Sequence, residues 1–341
     1  MTYILVRKLL RDVRAPLVVV CLILFLFASF WVVITQRVTT EVAPMFKTIS
    51  LFATGDAKAF EKVLLRGPTK VSQAALGWGE LNFDRPNDFL SIGLLHPAVL
   101  VLSLVWGVGR AAGAVAGELD RGTMELLLSQ PIPRHRLITA HFLVDCVALP
   151  ALCLAFFAGT QFGLATVPPF EPNFAAMDDL IKSAGEVDKS GGATAVLAGF
   201  VRKAKTEAKP MEVDGTRELA GLVNTLALMF AFSGTTMALS ALGRSRWRVI
   251  ALAVLVAFVM FVANTIGQLW EPAAWVRPLT FFFYYQPQKA MLDGQWGADV
   301  GTAWGGSPLF VNAAAVLFAA GAIGYAVALR AFVKRDLPAP L

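Results

Sequence analysis

Charge is scarce in this 341-residue chain: Asp, Glu, Lys and Arg make up 16% of it, where a soluble domain carries about a quarter. That deficit excludes an ordinary water-soluble enzyme. Cysteine is scarce too, and Cys21, Cys146 and Cys153 all fall inside apolar runs, so no disulfide framework is written here. His96, His135 and His141 are scattered, without the spacing of a zinc site. Thirty Lys and Arg against 24 Asp and Glu leave a net charge of +6, but charges this few and uneven make no continuous basic face for nucleic acid. There is also no His-x-x-x-His, no Ser–base pair and no pair of intramembrane aspartates to support a membrane protease. No catalytic, cofactor-binding or metal-binding residue is therefore assigned.

What the chain has instead is long apolar runs. A bilayer crossing needs about 20 mostly apolar residues, because a helix rises about 1.5 Å per residue through about 30 Å of hydrocarbon. Six stretches qualify: residues 15–36, 89–109, 142–167, 219–242, 249–269 and 308–329. The first two hold no Asp, Glu, Lys or Arg, and buried soluble helices rarely stay uncharged for so long. The expected fold is an all-α polytopic membrane protein of six transmembrane helices forming one membrane domain.

Residues 1–14 place Tyr3, Val6, Leu10 and Val13 opposite Arg7, Arg11 and Arg14 at helical spacing. That pattern fits a short interfacial helix, with a frayed basic tail as the alternative. The apolar run after it is too long for a cleaved leader and reads as an uncleaved anchor. Lys and Arg resist translocation, so the basic short flanks mark the inner side. The N-terminal flank, residues 110–141, residues 243–248 and the C-terminal tail are the basic ones. Both termini are accordingly expected in the cytoplasm, with the larger mixed-charge loops, 37–88 and 171–218, outside. Short helices are expected in those outer loops, around 56–65 and 178–201. Beyond the fifth span, Phe281 to Tyr285 reads as an interfacial aromatic belt or a short re-entrant piece, ahead of any substrate contact.

The inner segment 110–141 is the most informative. Gly122 permits a tight backbone approach, Thr123 can cap a following helix, and Glu125 falls in that helix's first turn. Leu126, Leu127 and Leu128 then carry more apolar surface than the loop can bury on itself, and Pro131 and Pro133 stop the helix before Arg134 and Arg136. Such a helix is either a docking site or a membrane-surface anchor, and periodicity leaves both open. The string GELDRGTMELLLSQPIPRHRLITAH resembles the inner loop of ATP-binding cassette (ABC) transporter permeases of the type 2 exporter family. The matching features are Glu118, Gly122-Thr123, Leu126 to Leu128, Pro131 and Arg134, while His141 stands where the family often has Lys. The outer loops are larger than the minimal family pattern.

The resemblance implies a noncatalytic permease in a bacterial-type inner membrane, paired with a second permease subunit as a homodimer or heterodimer. It also implies a separate cytoplasmic ABC ATPase that holds ATP and Mg and receives a coupling loop at residues 110–141. This chain has no G-x-x-x-x-G-K-[ST] loop of its own, so it cannot hydrolyse ATP by that chemistry. The ATPase-contact residues implied are Glu118, Gly122, Thr123, Glu125, Leu126, Leu127, Leu128, Pro131 and Arg134.

Within the spans, Asn224, Thr236, Asn264, Gln268 and Asn312 are candidates for lining a pathway or for helix packing. Asp145 reads as water-accessible or paired with Arg136, ahead of a proton relay. Gly109, Gly113 and Gly117 share a helix face, which suits packing within the subunit first and a dimer seam second. His96 beside Pro97 reads as a kink. An ion-coupled secondary transporter is the first rival reading and would need paired intramembrane charges, which the sequence does not display. A noncatalytic scaffold is the second. Lipid contact is expected throughout, and nucleic-acid contact is not.

Overall fold

The computed structural model describes residues 2–54, 82, 84–124, 126, 129, 133–187 and 192–335. Among the described residues six helices are long and apolar enough to cross a membrane, and apart from two three-residue strands the regular structure is helical. The chain is an all-α polytopic membrane protein. Since six spans return the chain to its starting side, both termini share one face, called here the terminal face.

The first helix runs unbroken from Thr2 to Arg37, so residues 2–14 continue into the first span without the separate segment expected. Leu5 there packs against Leu137, Ile138 and Phe332. Beyond Arg37 the helix loosens into one π turn, Val38–Val42, and resumes as Ala43–Thr54. The sequence explains the turn. Pro44 has no N–H with which to bond the Thr40 carbonyl, and Asn173 N–H donates to that carbonyl at 2.6 Å. The Thr39 and Thr40 hydroxyls bond back to Thr35 and Gln36 carbonyls at 2.8 Å, a habit that bends helices.

The second span is two helices, Pro86–Leu95 and Pro97–Ala114. The expected kink at His96 is present: the ring accepts from Ala98 N–H at 3.2 Å and lies against Phe27 and Trp31. The third span, Arg134–Thr166, starts well before residue 142, and the fourth and fifth are Glu218–Leu242 and Arg246–Leu269. The sixth, Ala313–Lys334, starts later than residue 308. Residues expected in that span instead form β2, Phe310–Asn312, pairing antiparallel with β1, Gly297–Asp299, so that Ala298 faces Val311.

Packing is closest where glycines remove side chains. A Cβ on Gly159 would lie 2.2 Å from the Phe25 carbonyl oxygen, and one on Gly234 would lie 2.1 Å from that of Gly321. These contacts join the third span to the first and the fourth to the sixth. By contrast, Gly113 and Gly117 face the Arg246 side chain rather than a second backbone, and Gly109 has open space. The fourth span is mostly buried, whereas the first and fifth turn most of their apolar surface outward.

On the far face, Ala175–Val187 and Gly192–Glu207 pack with Ala43–Thr54 around Phe174, Met177 and Val201. They supply the helices expected within 178–201, while the helix expected at 56–65 lies outside the described residues. Phe281–Tyr284 and Pro287–Leu292 turn back onto the fourth span. Phe283, Tyr284 and Tyr285 are buried there against Leu228, Phe232 and Leu317. The expectation of an interfacial belt at Phe281 to Tyr285 is corrected for these three rings, which serve the protein interior.

Candidate functional site

The terminal face is built around the short helix Ala116–Asp120. The preceding helix ends at Ala114, and Ser240 at the end of the fourth span bridges the break at Val115. Its hydroxyl oxygen accepts from Val115 and Ala116 N–H at 3.2 and 3.0 Å while the hydroxyl donates to the Ala112 carbonyl at 3.1 Å. The short helix then stops in a left-handed turn at Gly122, φ +70°, a conformation costly for any residue with a Cβ. Gly122 N–H donates to Leu119 and Thr123 N–H to Glu118, at 3.1 and 3.0 Å.

Glu118 closes this turn. Its carboxylate accepts from Thr123 Oγ1 at 2.5 Å and pairs with Arg121. The Thr123 hydroxyl is thus committed backwards to Glu118, not forwards as the cap expected for the following helix. Met124 is buried against Leu137 and Phe332, fixing the start of the leucine run, and Leu126 is 71% exposed. Glu125, Leu127, Leu128 and Pro131 lie outside the described residues.

Arg134, at the start of the third span, donates to the Arg335 carbonyl at 2.5 Å. Arg335 in turn donates to the Ala241 and Gly243 carbonyls at 2.7 and 2.9 Å, capping the end of the fourth span. Burial, and then Arg244, lower the Arg335 pKa from its usual value. One chain of hydrogen bonds thereby joins the loop's exit to two span ends.

Directly beneath lies a buried polar centre. Arg110 is not part of a loop: the second span runs on to Ala114 and turns this side chain inward. It forms an ion pair with Asp145, whose carboxylate also accepts from the Tyr325 and Ser233 hydroxyls, the latter at 2.5 Å. Asp145 is fully buried and its partner is Arg110, which corrects the expectation of water access or a pair with Arg136. The expectation of no intramembrane charge pair is corrected with it. Arg110 also donates to His141 Nδ1 and to the His141 carbonyl, at 3.1 and 3.0 Å. Arginine has only donors, so Nδ1 accepts and the His141 ring is neutral. A Lys at position 141, as the resemblance often has, would offer no acceptor there. Four spans, the second, third, fourth and sixth, meet at this centre.

The pathway candidates do not converge. Asn224 accepts from Gln286 N–H at 2.8 Å and donates to the Tyr284 carbonyl at 3.0 Å, holding the backbone of residues 284–286. Asn264 accepts from Arg277 at 3.4 Å, and Asn312 caps the sixth span by accepting from Ala315 N–H at 2.9 Å. Thr236 Oγ1 and Gln268 Nε2 are buried without a hydrogen-bond partner. A cavity of 870 Å³ opens on the far face among Arg85, Asn87, Glu212, Asp214, Arg217 and Asp293, and none of the five candidates lines it. There, hydrogen bonds from the Thr216 hydroxyl and N–H hold the Asp214 carboxyl below its usual pKa. Among the described residues no cluster of His, Cys, Asp and Glu is arranged to hold a metal.

The fold and its terminal-face loop meet a family pattern over nearly the full length: a family model described as ABC-2 family transporter protein matches residues 6–337. The chain belongs to the ABC-2 transporter family. Neither the curated proteins nor the solved structures yield a match. Membership makes this ABC-2 protein the membrane permease subunit of an ABC transporter and associates it generally with an ABC ATPase. Sequence reasoning missed Arg110, Met124 and Arg335. Their signals were a lone Arg closing an apolar run, a Met directly after Gly-Thr, and an Arg just past the last span.

Proposed function

We propose that this ABC-2 permease works in an ATP-driven exporter as one half of a dimer, each half docking a separate ATPase that binds ATP and Mg. In this reading the terminal face is cytoplasmic, the membrane is a bacterial-type inner membrane, and residues 110–141 are the coupling loop. Glu118, Gly122 and Thr123 shape the turn, Glu125, Leu126, Leu127, Leu128 and Pro131 enter the ATPase, and Arg134 carries the loop's displacement to the span ends. The observation that carries the reading is Leu126, a large apolar side chain left 71% exposed just beyond the turn that Gly122 permits and Glu118 closes. Closure of the two ATPases then favours one arrangement of the spans over the other, which is all that coupling requires.

Leu126→Asp tests it. Burying a leucine contributes roughly 1.5–3 kcal/mol, so the variant should bind its ATPase about 10- to 100-fold more weakly while inserting normally. Wild-type retention of the ATPase by a normally inserted variant would return the leucines to the membrane-surface reading. An ion-coupled carrier is the second reading, favoured by the buried Arg110–Asp145 pair. It requires ion-driven flux from the chain reconstituted without any ATPase.

A further inference from the structure

The fifth span does not simply end at Leu269 and release the chain. Residues Glu271–Leu279 wind into a 3-10 helix that doubles back along it. Gly267 makes room, since a Cβ there would lie 2.6 Å from Arg277 Cγ, and Arg277 Nε donates to Asn264 Oδ1 at 3.4 Å. Asn264 lies five residues before the helix end, about 8 Å down at the helical rise. The returning segment therefore lies level with the last turns of the span. Its backbone is satisfied in place, with Ala273 N–H donating to Trp270 and Thr280 N–H to Arg277.

Beside it stands the compact turn of residues 300–309 between β1 and β2, which opens with the short helix Val300–Ala303. Val300 N–H donates to the Leu309 carbonyl, Gly305 takes φ +76°, and a Cβ on Gly301 would lie 2.0 Å from the Ser307 carbonyl oxygen. Trp304 Nε1 donates to the Trp275 carbonyl at 3.1 Å, tying the turn to the returning segment. Together they turn outward Trp270, Trp275, Leu279, Trp304, Leu309 and Phe310, each more than half exposed.

We propose that this rim is a membrane-docking surface lying in the headgroup layer of the leaflet on the far face, the outer leaflet in the orientation proposed above. Three observations select a lipid surface as its occupant. The rim is continuous with the outward apolar face of the fifth span, where Phe258, Phe261, Ile266 and Leu269 are exposed. Residues 300–312 carry no charged side chain, so lowering the turn into the interface desolvates no ion. Three of the six side chains are tryptophans, whose apolar body and single N–H suit the boundary between acyl chains and water. The belt expected at Phe281–Tyr285 is thus supplied by neighbours of that stretch.

The test is tryptophan fluorescence of the full chain reconstituted in bilayers containing phospholipid brominated near the acyl carbonyls. The protein has eight tryptophans, and the comparison is with W270F/W275F/W304F, which keeps the apolar bulk. The bromolipid-quenched component should fall clearly in the triple variant, Trp247 at the terminal face keeping its own share, with quenching by aqueous iodide hardly changed. If the triple variant does not fold, the three single Phe variants provide the same readout one indole at a time. The proposal is overturned if the three indoles are quenched by iodide and not by bromolipid. Shielding from both quenchers overturns it as well, since protein would then cover the rim.

Discussion

Asp145→Asn is a clean probe of the buried centre. The side chain keeps its shape and an acceptor for Ser233 and Tyr325, but Arg110, whose side chain is 7% exposed, loses its counter-ion. Breaking one partner of a buried pair costs about 3–5 kcal/mol, because an uncompensated charge stays behind. At 1.4 kcal/mol per decade, that lowers the folded-to-unfolded ratio by roughly two to three and a half decades. Arg110→Met should cost a similar amount, leaving a carboxylate held only by the two hydroxyls. R110M/D145N removes both charges, and replacing a buried pair by neutral groups is often close to neutral. Because the double variant should lose far less than the roughly 6–10 kcal/mol sum of the two single losses, a double-mutant cycle should show a large favourable coupling. Unfolding in detergent mixtures of rising SDS fraction, followed by near-ultraviolet circular dichroism at pH 7, measures all four proteins. A double variant as unstable as the two single losses added together would falsify the pairing, as would two single variants of wild-type stability.

Asn224→Leu removes both hydrogen bonds to the Tyr284–Gln286 backbone and strands buried polar groups, so stability in the same SDS titration should fall by about 2–4 kcal/mol. Wild-type behaviour would mean that the stretch 281–286 is held by its rings alone. Gly234→Val, with a Cβ that would lie 2.1 Å from the Gly321 carbonyl oxygen, should abolish monodisperse folded protein in size-exclusion chromatography, whereas Ala at Gly109, which has open space, should be silent. In a cysteine-free background, a cysteine at exposed Lys182 should label from outside intact cells and one at Arg244 should not. The reverse pattern inverts the topology.

The spans were legible where composition alone decides. Residues 15–36, 219–242 and 249–269 are apolar runs, and each falls within a single helix. Edges were legible only where charge coincides with the end of a helix. Arg110 reads as the start of a loop because a lone charge closes the apolar run, yet the helix goes on to Ala114 since its partner Asp145 lies on another span. Residues 308–312 are apolar enough to read as membrane helix, but strand pairing claims the last three. The loop's turn was legible through Gly122, which local backbone chemistry fixes. The direction of the Thr123 hydroxyl was not, because it depends on the Glu118 carboxylate five residues back. Long-range pairings such as Arg335 with Ala241 leave no periodic trace.

The polar centre also sets an order of events during synthesis. Arg110 precedes His141 by 31 positions, and Asp145 follows four residues later, so the two charges can neutralise each other as soon as the third span enters the bilayer. Ser233 and Tyr325 are 92 positions apart, an interval of about 5–20 s at a ribosome's pace. For that time the fourth span presents the bare backbone of Gly234 to lipid or to an insertion factor, and the Asp145 carboxylate, already bonded by Ser233, still lacks Tyr325. The last helix to be made is the one that covers them. A nascent chain cut short before residue 313 would keep that seam open, giving membrane quality control a polar mark by which to recognise the unfinished protein.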